Sequence, residues 1–250
     1  DLKLATSSTG WIDTETSLGD TLYLINNKTS ENAKSFNFSS ASDEYDLSVN
    51  LDTTVGTLNI NGVKTDSALS TIDLNSKTGF SLNEGSTLTL SNINLTGNTT
   101  AITNNGGSLT FNNTNTIDGK VTGTTGATNN GTLNITASNL DVTLSNAGTL
   151  NLGSGTLAKA ISGSGSTVIS GTVTNNEAIS QAVQVASGSN LTVAANIGNL
   201  DNLGTTNSNA TYLTGTISNA GTLNLSGSLN KAITGNGSTF VDSSLTLASG

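Results

Sequence analysis

The chain contains no cysteine, proline, methionine or histidine, and its eight basic residues are all lysine, so arginine is absent as well. Each absence removes a class of chemistry. Without Cys there is neither a disulfide nor a thiolate nucleophile, and without His no ordinary Ser-His-Asp triad can be assembled. Aromatic residues make up 4% of the chain and charged residues 10%, with a formal net charge of -9. That balance argues against nucleic acid as a partner, since phosphate binding rests on clustered cations. Anionic membrane surfaces are disfavoured for the same reason. No apolar run approaches the roughly 20 residues of a membrane helix, so the segment reads as soluble, with no membrane insertion of its own. The chain opens on Asp1 rather than Met, which reads as a mature or trimmed segment.

What is present is Val, Ile and Leu in short alternating runs, together with 28 Gly and abundant Ser, Thr and Asn. This composition favours short strands joined by turns, and the expected class is all-β. The first 50 residues differ from the rest. They hold Trp11, Tyr23, Phe36, Phe38 and Tyr45, five of the nine aromatics, and 11 of the 25 charged residues. Residues 1–50 therefore read as an N-terminal cap, and residues 51–250 as a repeating body, because a stack of strands needs a distinct element over its open end.

In the body one phrase recurs: Gly, one or two small polar residues, an apolar residue, Asn or Thr, and a second apolar residue. It is spelled GTLNI at 56, GSTLTL at 85, GSLTF at 107, GTLNI at 131, GTLNL at 148, GSTVI at 165, GSNLTV at 188, GTLNL at 221 and GSTFV at 237. The first apolar positions, from Leu58 to Phe240, are spaced by roughly 23 residues on average, in the range of stacked repeats. Nine phrases suggest nine turns of a parallel β-solenoid, in which similar phrases stack on one another. The octapeptide SNAGTLNL occurs at 145–152 and again at 218–225, and LAKAISGSGSTV at 157–168 is echoed by LNKAITGNGSTF at 229–240. The longest gaps leave room for an extra turn near STIDL (70–74) and ATYLTG (210–215), or for a loop at 202–209.

Period-two alternation sends Leu150 and Leu152 to one face of the strand and Thr149 and Asn151 to the other. GSTVI and GSTFV break the alternation, since Val168 with Ile169 and Phe240 with Val241 place two apolar residues side by side. One of each pair must face outward.

The GTLNL and GSLTF phrases, the SNAG turns and the lack of Pro and Cys resemble the passenger regions of bacterial autotransporters and related β-helical surface adhesins. The resemblance covers about residues 51–250 and is one of repeat texture. It implies a right-handed parallel β-helix exported from a Gram-negative bacterium, displayed at the cell surface or secreted, and serving adhesion, autoaggregation or biofilm formation in virulence. The chain stops within the repeat texture, which reads as a fragment of a longer protein.

β-Helical enzymes exist, so carboxylates need weighing. Asp66 with Asp73, and the group Asp43, Glu44 and Asp46, are the candidate pairs for glycoside hydrolysis, but sequence proximity does not make two carboxylates converge on one bond. Asp118 and Asp141 read as solvent-facing, and no GGxGxD calcium repeat is present. The expectation is a non-enzymatic protein with no cofactor and no metal. The asparagine of Asn94-Leu95-Thr96 sits in a glycosylation triplet that the composition alone produces.

The outward members of the phrases form the candidate interaction surface: Thr57, Asn59, Thr87, Thr89, Ser108, Thr110, Thr132, Asn134, Thr149, Asn151, Asn190, Thr192, Thr222 and Asn224. Read as one ladder of hydroxyls and amides, they could bind a second copy of the chain on a neighbouring cell through many weak contacts. Two alternatives stand beside this. A host protein or glycan could bind the aromatic-rich cap or the 202–209 loop, or the chain could be a passive stalk that displays another domain. Ice binding is a more remote reading, because among these ladder residues only Thr87 and Thr89 make a strict Thr-x-Thr.

Overall fold

In a computed structural model, residues 2–5, 36–40, 46–52, 57–61, 69–73, 79–82, 84–242 and 246–247 are described, those before residue 79 chiefly through their backbone. The protein is a parallel β-solenoid of about nine turns. Among the described residues two short 3-10 helices, Ala137–Asn139 and Ala210–Tyr212, interrupt the strands. Two compact units divide the chain at residues 133 and 134.

In the first unit, Leu2–Ala5, Phe36–Ser40, Asp46–Asp52 and Thr57–Asn61 pair antiparallel in sequence order. Parallel stacking then begins. Thr57–Asn61 is followed by Thr87–Ser91, Ser108–Asn112 and Ala127–Asn129 in one sheet. A second sheet stacks Ser70–Asp73, Ile93–Thr96 and Thr114–Ile117, and a third stacks Phe80–Leu82, Thr100–Asn104 and Lys120–Gly123. STIDL supplies the strand Ser70–Asp73 but not the extra turn expected there, because Thr57 pairs directly with Thr87 on the next turn. Trp11, Tyr23, Tyr45, Asp43, Glu44 and Asp66 lie outside the described residues, while Phe36, Phe38, Asp46 and Asp73 are placed by backbone alone.

In the second unit each turn visits three sheets. Sheet I holds Leu144–Asn146 and Ile161–Ser162, and continues as the single bridges Ile161 to Ile179, Ile179 to Ile197 and Ile197 to Leu213. Sheet II stacks Thr149–Gly153, Ser166–Ile169, Ala182–Val185, Leu200–Asn202, Ile217–Asn219 and Ile233–Thr234. Sheet III stacks Gly155–Leu157, Thr172–Asn175, Asn190–Val193, Thr205–Asn209, Thr222–Ser226 and Ser238–Val241. The inward residues of all three include buried aliphatics such as Leu144, Leu150, Val173, Leu191 and Leu223, each at most 1% exposed. Each contributes about 1.5–3 kcal/mol by leaving water.

The phrase therefore does not mark one turn. A turn of the second unit is shorter than the average phrase spacing, since Thr149 pairs with Ser166 on the next turn and Asn190 with Thr205. Because every turn has three sides, GTLNL can occupy any of them. Following the stack upward from Leu150 leads to Thr167, Val183, Leu200, Ile217 and Ile233. The duplicate of Leu150 in the second octapeptide is Leu223, which lies beyond Ile217 by one side of the turn. Accordingly Thr149–Gly153 lies in sheet II, whereas its duplicate Thr222–Ser226 lies in sheet III. The second duplication follows the same rule: Ile161 is in sheet I and its counterpart Ile233 in sheet II, Ser166–Ile169 in sheet II and Ser238–Val241 in sheet III.

A shared corner explains how one sequence serves different sides. Asn146 and Asn219, the asparagines of the two SNAG copies, are 0% and 1% exposed. The Asn146 Nδ2 donates to Ser166 O at 2.9 Å and that of Asn219 to Ser238 O at 3.0 Å, the same carbonyl one turn on. Asn202 repeats the arrangement, donating to Thr222 O and to Asn219 Oδ1, each at 2.8 Å. A buried amide of this kind costs free energy unless paired, and the next corner supplies the pairing. Glycine at these corners is needed for close approach: a Cβ on Gly165 would come within 2.1 Å of Gly148 O, and one on its counterpart Gly237 within 2.4 Å of Gly221 O.

Two register expectations are corrected. Ser166, Thr167, Val168 and Ile169 align with Thr149, Leu150, Asn151 and Leu152, so Thr167 is buried where a leucine stood and Val168 turns outward. Phe240 likewise aligns with Asn224 and faces out. Glycine, rather than the first apolar residue, sets the frame. Segment 202–209 is no loop either, because Thr205–Asn209 is a strand held between Asn190–Val193 and Thr222–Ser226.

Candidate interaction surface

The proposed ladder is divided among several sheets. In the first unit Thr57, Thr87 and Ser108 stand in one column and Asn59, Thr89 and Thr110 in the next. Thr132 and Asn134 lie on the strand Thr132–Thr136 at the boundary of the two units. Thr149 and Asn151 belong to sheet II, where Asn151 Nδ2 donates to Asn134 Oδ1 at 2.7 Å. Asn190, Thr192, Thr222 and Asn224 belong to sheet III. The sequence reading missed Thr172, Thr174, Thr205 and Asn207, which complete that last set. Thr-x-Thr at 172–174 and Thr-x-Asn at 205–207 carried the signal, but their apolar neighbours did not match the phrase.

Sheet III is the most uniform of these surfaces. Its two outward columns run Thr172, Asn190, Thr205, Thr222, Ser238 and Thr174, Thr192, Asn207, Asn224, Phe240. No charge interrupts them. Parallel pairing sets the rungs about 4.8 Å apart, so hydroxyls and amides repeat at regular intervals. Asn224 Nδ2 donates to Asn207 Oδ1 at 2.7 Å, which leaves Asn207 its N–H pair and Asn224 its carbonyl oxygen for an outside partner. Among the described residues, Thr172, Thr174, Asn190, Thr192, Thr205 and Thr222 find no side-chain hydrogen-bond partner, so their hydroxyls and amide keep their capacity unspent.

Sheet II is different in kind. Its outward column contains Val168, Gln184 and Asp201, and Gln184 Nε2 donates to Asp201 Oδ2 at 2.8 Å. Those groups are occupied with one another. Asp141 faces Lys159 across 3.8 Å at the surface, and Asp118 is exposed. Among the described residues no three acidic side chains gather as a metal site would require, and no helix is long and apolar enough to cross a membrane.

Comparison with protein-family models, with curated proteins and with solved structures found no match.

Proposed function

We propose that this chain is the adhesive solenoid of a bacterial surface protein of the autotransporter-passenger kind, and that sheet III is the surface by which copies on neighbouring cells associate. The observation that supports the reading is the charge-free pair of Thr/Asn columns, with donors and acceptors left over after the internal bonds are made. On a chain of net charge -9, close approach of two copies is least opposed where no carboxylate stands. Two such faces meeting side by side exchange many weak hydrogen bonds, and their strength on a cell comes from number. The reading assigns the chain no reaction, cofactor or metal. It places the chain outside the cell.

Sedimentation over a wide concentration range tests it. The wild-type chain self-associates reversibly, and Asn207→Lys with Asn224→Lys shifts the midpoint at least tenfold upward, whereas Asn151→Lys on sheet II leaves it within twofold. A wild-type chain that stays monomeric at all concentrations, or equal effects of the two sheets, would reject the assignment.

A further inference from the structure

Beyond contact between copies, the outward column of sheet III carries an aromatic ring. Phe240 is 60% exposed and aligns with the outward Asn224. Phe240 stands one rung above Asn224 in the column Thr192, Asn207, Asn224, Phe240. These residues line an open groove of roughly 440 Å³, with Asp242 at its margin. In sequence along the column the groove offers a hydroxyl, an amide N–H pair, an amide carbonyl and an aromatic ring.

The geometry points to a binding site for a neutral oligosaccharide lying along this column. A sugar ring has hydroxyls around its edge and C–H groups on its face. The edge is matched by the unspent groups of Thr192, Asn207 and Asn224, and the face by the ring of Phe240, whose quadrupole favours C–H donors. The rung spacing of about 4.8 Å is close to the length of one sugar unit, so successive sugars meet successive rungs. Charge narrows the class. No cation lines the groove and Asp242 is at its margin, so sulfated and uronic glycans are repelled. An extended peptide would use the backbone edge of a strand rather than these side-chain columns. Shallow polar grooves of this kind bind each sugar weakly, and affinity grows with the number of rungs engaged.

A glycan array followed by ligand-observed NMR tests this on the whole chain, with β-1,4-linked glucose and N-acetylglucosamine hexamers as neutral probes and oligogalacturonate as the acidic one. Neutral oligomers on the array bind with Kd between about 0.1 and 5 mM, hexamers more tightly than dimers, and oligogalacturonate does not bind. Phe240→Ala weakens binding at least tenfold, Asn207→Ala and Asn224→Ala several-fold each, and Asn151→Ala not at all. Since Phe240 is exposed, its variant keeps the wild-type circular dichroism spectrum and melting curve. The site is refuted if no neutral oligosaccharide binds at millimolar concentration, if acidic ones bind equally, or if Phe240→Ala changes nothing. Loss of self-association in Phe240→Ala without any sugar binding would assign the groove to a second copy instead. Sugar binding by a strictly monomeric chain would uphold the site while rejecting copy-to-copy adhesion.

Discussion

The octapeptides at 145–152 and 218–225 share every residue, yet their strand residues lie in a different sheet from their duplicates. The first spans the corner from sheet I to sheet II, and the second the corner from sheet II to sheet III. The difference teaches that these sides of a turn in the second unit are interchangeable at the level of local sequence. Both corners need an inward Asn to close them, a small residue where one corner rests on the next, and two inward aliphatic residues on the strand that follows. A duplicated block can therefore rotate by one side and still find a leucine-shaped place for each Leu. The first unit is less regular: the stretch of chain from Thr57 to its stacked partner Thr87 is markedly longer than that from Thr87 to Ser108.

If the corners are equivalent, matched substitutions in the two copies should cost the same. The largest effect is expected at the stacked glycines. Gly165→Ala and Gly237→Ala each drive a Cβ against a backbone oxygen and should destabilise by about 1–3 kcal/mol, seen as earlier urea unfolding. A variant in one sheet that unfolds normally while the other collapses would break the equivalence.

Next come the corner asparagines. Asn146→Ala leaves Ser166 O and Gln181 Oε1 without its N–H groups, and Asn219→Ala leaves Ser238 O and Thr239 Oγ1 in the same position. Each should cost about 1–3 kcal/mol, and hydrogen exchange should report the loss in the turns that flank the substitution. Protection lost evenly along the whole chain would show that these corners are not local ties.

The smallest effect separates the copies by burial rather than by sheet. Thr167 is fully buried and its Oγ1 accepts from Gln181 Nε2 at 2.7 Å, so Thr167→Val should cost about 1 kcal/mol. Its counterpart Thr239 is exposed and accepts a longer bond from Asn219 Nδ2 at 3.3 Å, so Thr239→Val should change stability by less than about 0.5 kcal/mol. Equal costs at the two positions would mean that the Gln181 bond contributes nothing.

Much of the architecture was legible in the phrase itself. Leu150 and Leu152 are inward and Thr149 and Asn151 outward, as the alternation required, because a strand has only two faces. Gly before the strand marked a corner for a reason the structure bears out. The candidate surface was legible only in pieces. Thr149 and Thr222 sit in identical octapeptides, and no local feature tells which sheet either will join.

Composition, alternation and the recurring phrase determined that this chain is all-β, that the strands of its repeats are short and parallel-stacked, and which side of most of them is buried, since these follow from side-chain period and the cost of exposing aliphatic groups. Tertiary structure alone decided the length of a turn, the rotation of the duplicated block, the inward place of Thr167, and the assembly of Thr172 through Asn224 into one uncharged face. Those depend on which rung lies above which, and register between turns is a sum over all the corners in between.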